Sequence, residues 1–148
     1  MCAADRVPSL ADFACEVYPF LELRPFHRAY YRVLEAFAAG RIRRLIVTMP
    51  PQHGKSTGAT TLLPAYLLGL DPDLRVAIAS YSAALASKFN RRVQRILDTE
   101  EYAAHFPATT IKRGTRPPNY SRTADEVEII GRRGGLLSVG REGSLTGN

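Results

Sequence analysis

Three consecutive residues, Gly54, Lys55 and Ser56, carry the most specific chemistry in this chain. Glycine lets a backbone approach an anion closely, and exposed amides at the start of a helix point toward negative charge. A lysine beside them meets β- and γ-phosphates, and the following hydroxyl can ligate Mg²⁺. The flanking Pro51, Gln52, His53 and Thr57 complete a candidate nucleotide-binding loop, in which the amide of His53 can serve a phosphate whatever its ring does. The usual phosphate-loop pattern has an earlier glycine, and Met49 stands in its place. A Gly-Lys-Ser triplet alone is often only a turn before a helix, so the elements around it decide its weight.

Those elements have the required order. Leu45-Ile46-Val47-Thr48-Met49 is a short β-branched apolar run of the kind found in a buried parallel strand, and Pro50-Pro51 ends it. A helix is expected from Lys55, kinking or restarting at Pro64, because proline removes a backbone donor and clashes with the preceding turn. Asp71-Pro72-Asp73 makes a turn, and Arg75 to Ser80 reads as a second strand. Ser82 is placed to cap a helix whose apolar stripe is Leu85, Phe89, Val93 and Ile96/Leu97, with Lys88, Arg91, Arg92 and Arg95 mainly elsewhere on the cylinder. Upstream, Phe26, Tyr30, Val33, Leu34 and Phe37 form an amphipathic helix that Gly40 can stop. Strands alternating with helices predict an α/β fold with a parallel sheet, Leu45–Thr48 beside Arg75–Ala79. After Phe106 the sequence turns rich in turn residues, and Val127–Ile130 with Leu136–Val139 predict a β-hairpin across Gly131 to Gly135.

With 148 residues the chain has the size of one domain. The expected parts are an N-terminal extension (1–22), a helix and loop-bearing βαβα core (23–105) and a turn-rich hairpin region (106–148). Cys2 and Cys15 lie in no metal-ligand spacing, which argues for free thiols. The longest apolar run, Leu62 to Leu70, is too short to span a bilayer, so a cytoplasmic protein with no membrane partner is expected. The net charge of +6 gathers at Arg41/Arg43/Arg44, Arg91/Arg92/Arg95, Lys112/Arg113/Arg116 and Arg132/Arg133, which permits binding to a polyanion. A solvated basic surface would look the same in sequence.

The run from Arg43 to Ser56 resembles the atypical Walker A region of phage terminase large subunits, in which the first glycine is often missing. Pro64 to Gly69, Asp73 to Ala77, Ser80-Tyr81-Ser82, Gly134-Gly135 and Gly143 to Gly147 continue the likeness in the same order. The resemblance implies a P-loop NTPase fold of the RecA-like, additional-strand (ASCE) type, here incomplete. It also implies ATP and Mg²⁺ as cofactors, with Lys55 catalytic and Ser56 the metal ligand. The implied work is DNA packaging: an ATPase ring at a portal protein, acting on double-stranded DNA with a small terminase subunit, in a phage or prophage of a bacterial host.

The same resemblance assigns His27 to an adenine-contacting segment and leaves Arg141 as a candidate arginine finger toward a neighbouring subunit's nucleotide. Pro51 and Gln52 stand where many terminases carry a loop arginine. Neither Tyr66–Asp71 nor Asp125-Glu126 makes a convincing Walker B element, and the nuclease domain that the resemblance implies is expected to be missing from these 148 residues. The expectation is therefore a fragment truncated before that element, binding nucleotide but turning it over barely, whose full-length parent is the ATPase. The alternatives are a fragment of a helicase-like nucleic-acid-dependent NTPase and a non-catalytic nucleotide- or DNA-binding module.

Overall fold

The computed structural model describes residues 7–19, 21–111 and 119–141. Helix α1 (Leu10–Val17) begins where the Ser9 hydroxyl accepts from the Asp12 amide, and the Glu35 carboxylate accepts from the Leu10 amide at 2.5 Å. An acid beside a helix start also complements the partial positive charge there. Leu10, Phe13, Ala14 and Val17, three and four residues apart, are buried. The segment set aside as an extension in the sequence thus helps build the core.

Helix α2 (Pro25–Ala38) follows the expected periodicity and ends at Gly40. The Arg41 amide bonds back to the Ala36 carbonyl and the Gly40 amide to Phe37, the pairing of a Schellman stop. From Lys55 to Leu70 the chain is one helical rod in three parts: α3 (Lys55–Thr57), a π-helical turn (Gly58–Leu62) and α4 (Leu63–Leu70). The irregularity expected at Pro64 falls in the turn just before it.

The α4 segment buries Leu63, Ala65, Tyr66 and Leu68 among α1, α2 and α6 (Glu100–His105). Phe13, Tyr66, Tyr102 and Phe106 pack there with ring centroids 5.2–6.0 Å apart. Each buried aromatic adds roughly 1.5–3 kcal/mol by removal from water. Their polar ends are satisfied, the Tyr102 hydroxyl donating to the Ala65 carbonyl at 2.9 Å and Tyr66 to Pro8 at 2.8 Å.

The sheet is small and mixed. Strand β1 (Arg75–Ser80) pairs in parallel with β3 (Gly135–Gly140), from Arg75 opposite Gly135 to Ser80 opposite Gly140. Strand β2 (Glu126–Glu128) pairs antiparallel with β3, which gives the order β1-β3-β2 and the expected hairpin. Helix α5 (Ala83–Leu97), capped by Ser82 as expected, covers one face of this sheet.

Two expectations are corrected. The sheet is not all parallel, and the run Leu45–Met49 joins no strand among the described residues. That run keeps a strand's alternation: Leu45, Val47 and Met49 pack partly against the core, while Ile46 is 92% exposed. Alternation fixes a backbone's two faces, but a strand also needs a hydrogen-bonding neighbour. The parallel neighbour of β1 is β3, not 45–48. Among the described residues the opposite edge of β1 has no paired strand, and it faces an apolar groove of about 490 Å³ lined by Phe37, Leu63, Pro64 and Leu67.

Candidate functional site

The loop between Pro50 and Lys55 owes its shape to two left-handed residues, Gln52 at φ 63° and Gly54 at φ 77°. Glycine adopts this conformation freely and glutamine only at a cost. The His53 ring folds back, with Nδ1 2.7 Å from the Pro51 carbonyl, and leaves the loop's other face open.

That face is a cleft of about 530 Å³, lined by Met49, Pro50, Pro51, Gln52, Gly54, Lys55, Ser56 and Thr57. No acid lines it. Lys55 and Ser56 are exposed, and among the described residues neither the ammonium nor the Ser56 hydroxyl has a hydrogen-bond or ion-pair partner. An unneutralised cation in a concave backbone at the start of a helical rod is an arrangement that attracts an anion.

Beneath the loop lies α2. His27 is 9% exposed, and both ring nitrogens are engaged by backbone. Nδ1 accepts from the Arg24 amide at 3.1 Å, which puts the proton on Nε2, 3.2 Å from the His53 carbonyl. One turn further, the Tyr30 hydroxyl donates to the Lys55 carbonyl at 2.9 Å. Burial pushes the Tyr30 phenol up to about 12, and a hydrogen bond from the Ala59 backbone to its oxygen acts in the opposite sense.

The Lys55 carbonyl thus accepts from the Tyr30 hydroxyl as well as from the Gly58 amide of its own helical turn. The π turn at Gly58–Leu62 begins there. Gly58 makes room, since a Cβ on it would lie 2.5 Å from the Tyr30 ring.

Of the residues singled out in sequence, Pro51, Gln52, Gly54, Lys55, Ser56 and Thr57 thus share one cleft. His53 points its ring away from it and toward Phe26, 5.7 Å between centroids. His27 lies under the loop with no ring nitrogen left for a base. Arg141 follows the last residue of β3, exposed and outside the cleft lining. Asp125 accepts from the Ser87 hydroxyl, and its carbonyl accepts from Ser138 and Asn90. Asp71 caps the end of α4. The Gly143–Gly147 stretch and the Lys112/Arg113/Arg116 cluster lie outside the described residues, as does Cys2; Cys15 is an exposed free thiol.

Sequence reasoning missed Tyr30 as a loop contact, having assigned it to an apolar stripe. The available signal was a glycine inside an otherwise apolar helix, which marks a close approach.

Basic residues form a second feature. Lys88, Arg91, Arg92 and Arg95 occupy one face of α5, opposite the buried Ala86, Asn90, Val93 and Leu97. The helix contains no acid, and none of the four has an ion-pair partner among the described residues. The Arg92 guanidinium sits 5.9 Å over the Phe89 ring, which limits its freedom. Among the described residues no helix is long and apolar enough to cross a membrane.

Comparison with family models, curated proteins and solved structures gives no match.

Proposed function

We propose that the Pro50–Thr57 cleft is a nucleotide-binding site and that the chain is the ATP-binding part of a viral DNA-packaging motor, a terminase large subunit of P-loop NTPase type. The observation that carries the reading is the pairing of a left-handed Gly54 with an exposed Lys55, whose ammonium has no partner among the described residues, at the start of a helical rod. The Gly54–Ser56 backbone would hold the phosphates, and Lys55 would neutralise the β- and γ-phosphates. Ser56 fits Mg²⁺, because its hydroxyl is exposed beside Lys55 and takes no partner among the described residues. The bound metal would supply charge neutralisation between phosphate oxygens. Full-length relatives in this reading are ATPases working as rings at a portal with a small terminase subunit. Arg141 would act there in trans.

The basic face of α5 supports double-stranded DNA as the partner. Four cations over two turns, without an ion-pair partner among the described residues and spanning roughly 10 Å of helix axis, match a phosphate backbone in sign and scale. The same pair of features, a cleft without an acid and a basic face, favours as second reading a nucleotide- and DNA-binding module that does not itself turn ATP over. A helicase-like NTPase would share both features.

Titration calorimetry with MgATP tests the site. The chain should bind, and Lys55→Ala should weaken binding about 10- to 100-fold, the worth of one charge-assisted contact. Unchanged affinity in Lys55→Ala would make the loop a structural turn.

A further inference from the structure

The geometry points to His27 and Tyr30 as positioning residues that aim the loop's amides into the cleft, which separates His27 from any role in reading the base. This inference rests on the proposed phosphate site.

In a trans peptide the carbonyl and the following amide point in opposite directions. His27 Nε2 holds the His53 carbonyl, so the Gly54 amide is turned away from α2. Tyr30 holds the Lys55 carbonyl, so the Ser56 amide is turned away as well. Both carbonyls belong to residues whose following amides sit at the mouth of the helical rod, where a phosphate would be met.

The two donors are themselves fixed. His27 is locked as the Nε2–H tautomer by the Arg24 amide on Nδ1, and its ring lies 3.2 Å from where a Cβ on Gly54 would stand. Burial holds the Tyr30 phenol protonated, as a donor. The Tyr30 ring also lies against Gly58, where a Cβ would stand 2.5 Å from it, at the start of the π turn Gly58–Leu62. A merely packing ring would need neither nitrogen nor hydroxyl bonds to this loop. Two side chains one helical turn apart on α2 thus bond to alternate carbonyls, those of His53 and Lys55.

The test compares a ligand with a base and one without. MgATP and tripolyphosphate are titrated into the full chain and into His27→Phe, His27→Gln and Tyr30→Phe, with thermal unfolding confirming that each variant folds. His27→Phe and Tyr30→Phe should each weaken both ligands by the same factor, up to about tenfold, the scale of one hydrogen bond. His27→Gln, whose amide nitrogen can replace Nε2, should recover most of the loss. Amide hydrogen exchange at 53–59 in the ligand-free chain should accelerate in the two phenylalanine variants and not in His27→Gln. A loss for ATP with tripolyphosphate unchanged would make His27 a base reader and overturn the inference. Unchanged affinity in both phenylalanine variants, with the parent binding, overturns it alone. Absence of binding by the parent, or binding indifferent to Lys55→Ala, overturns the phosphate site and this role together.

Discussion

The loop at Pro50–Thr57 and the seam between α5 and the hairpin are both polar clusters in a largely apolar molecule, and they end in opposite states. In the seam every group is answered from within. Asn90 donates to the Asp125 carbonyl at 2.9 Å, and Gln94 donates to Asn90 at 2.8 Å and to the Thr123 carbonyl at 2.7 Å. Arg122 reaches Gln94, the Ile111 carbonyl and both oxygens of Asp98. At the loop, the carbonyls of His53 and Lys55 are held from below, while above them the Lys55 ammonium and the Ser56 hydroxyl have no partner among the described residues. A closed network fixes one arrangement of the chain, and an open one keeps its electrostatics for something else. The outer face of α5 belongs with the loop in this respect, and its inner face with the seam.

The contrast can be broken from either side. The largest effect is expected where four open cations are removed together. If Lys88, Arg91, Arg92 and Arg95 hold DNA phosphates, replacing all four with alanine should reduce the slope of log affinity against log salt by about 3 to 4. Duplex binding measured across a salt series checks this, and an unchanged slope would return the face to solvent. Stability should barely move, by about 0.5 kcal/mol or less, because the four side chains satisfy nothing inside.

In the seam the opposite pattern is expected. Asn90→Ala removes a fully buried side chain and strips one partner each from Asp125 and Gln94, for a loss of about 2 to 3 kcal/mol in urea unfolding. Nucleotide affinity should be unaffected in the protein that remains folded.

The smallest effect sharpens the comparison within two adjacent residues. Tyr30 uses its hydroxyl, whereas the Tyr31 hydroxyl is buried with no hydrogen-bond partner among the described residues. Tyr31→Phe should therefore be neutral or stabilising by up to about 1 kcal/mol, whereas Tyr30→Phe should destabilise. Burial, with lesser contributions from Tyr30 and Cys15, pushes the Tyr31 phenol up to about 12 from 10. A raised phenol means that the unfolded chain ionises first. Its contribution is fully present below pH 10 and is lost as pH rises through 12. Tyr31→Phe should flatten that alkaline decline, as followed by chemical denaturation between pH 9 and 12.

Much of this was legible in sequence wherever the partner of a group lies a few residues away. The stop at Gly40, the Ser82 cap and the rod from Lys55 disturbed before Pro64 follow from local rules. The hairpin at 126–140 was legible too, because its two apolar runs flank a glycine-bearing loop. The polar face of α5 was not. Asn90 and Gln94 sit four apart on the buried side, between the apolar positions that made the stripe, and only the loop at 121–125 gives them a reason to be there. The buried polar pair was itself a signal that this face meets backbone rather than hydrocarbon.

The sequence by itself left α1 and α6 unread but determined the helix stopped at Gly40, the helix capped by Ser82, the extended run at Arg75–Ser80 and the helix opened by Gly54, Lys55 and Ser56. Each of these depends on interactions within four residues or on a backbone preference of one residue type. The tertiary structure decided the rest: that β1 pairs in parallel with β3 while 45–49 has no ladder partner among the described residues, that His27 spends both ring nitrogens on backbone, and that Tyr30 donates to a carbonyl 25 residues further along the chain. A strand leaves its edge groups and a helix its side-chain hydroxyls to be satisfied by whatever the fold brings near, and that choice is written in no local pattern.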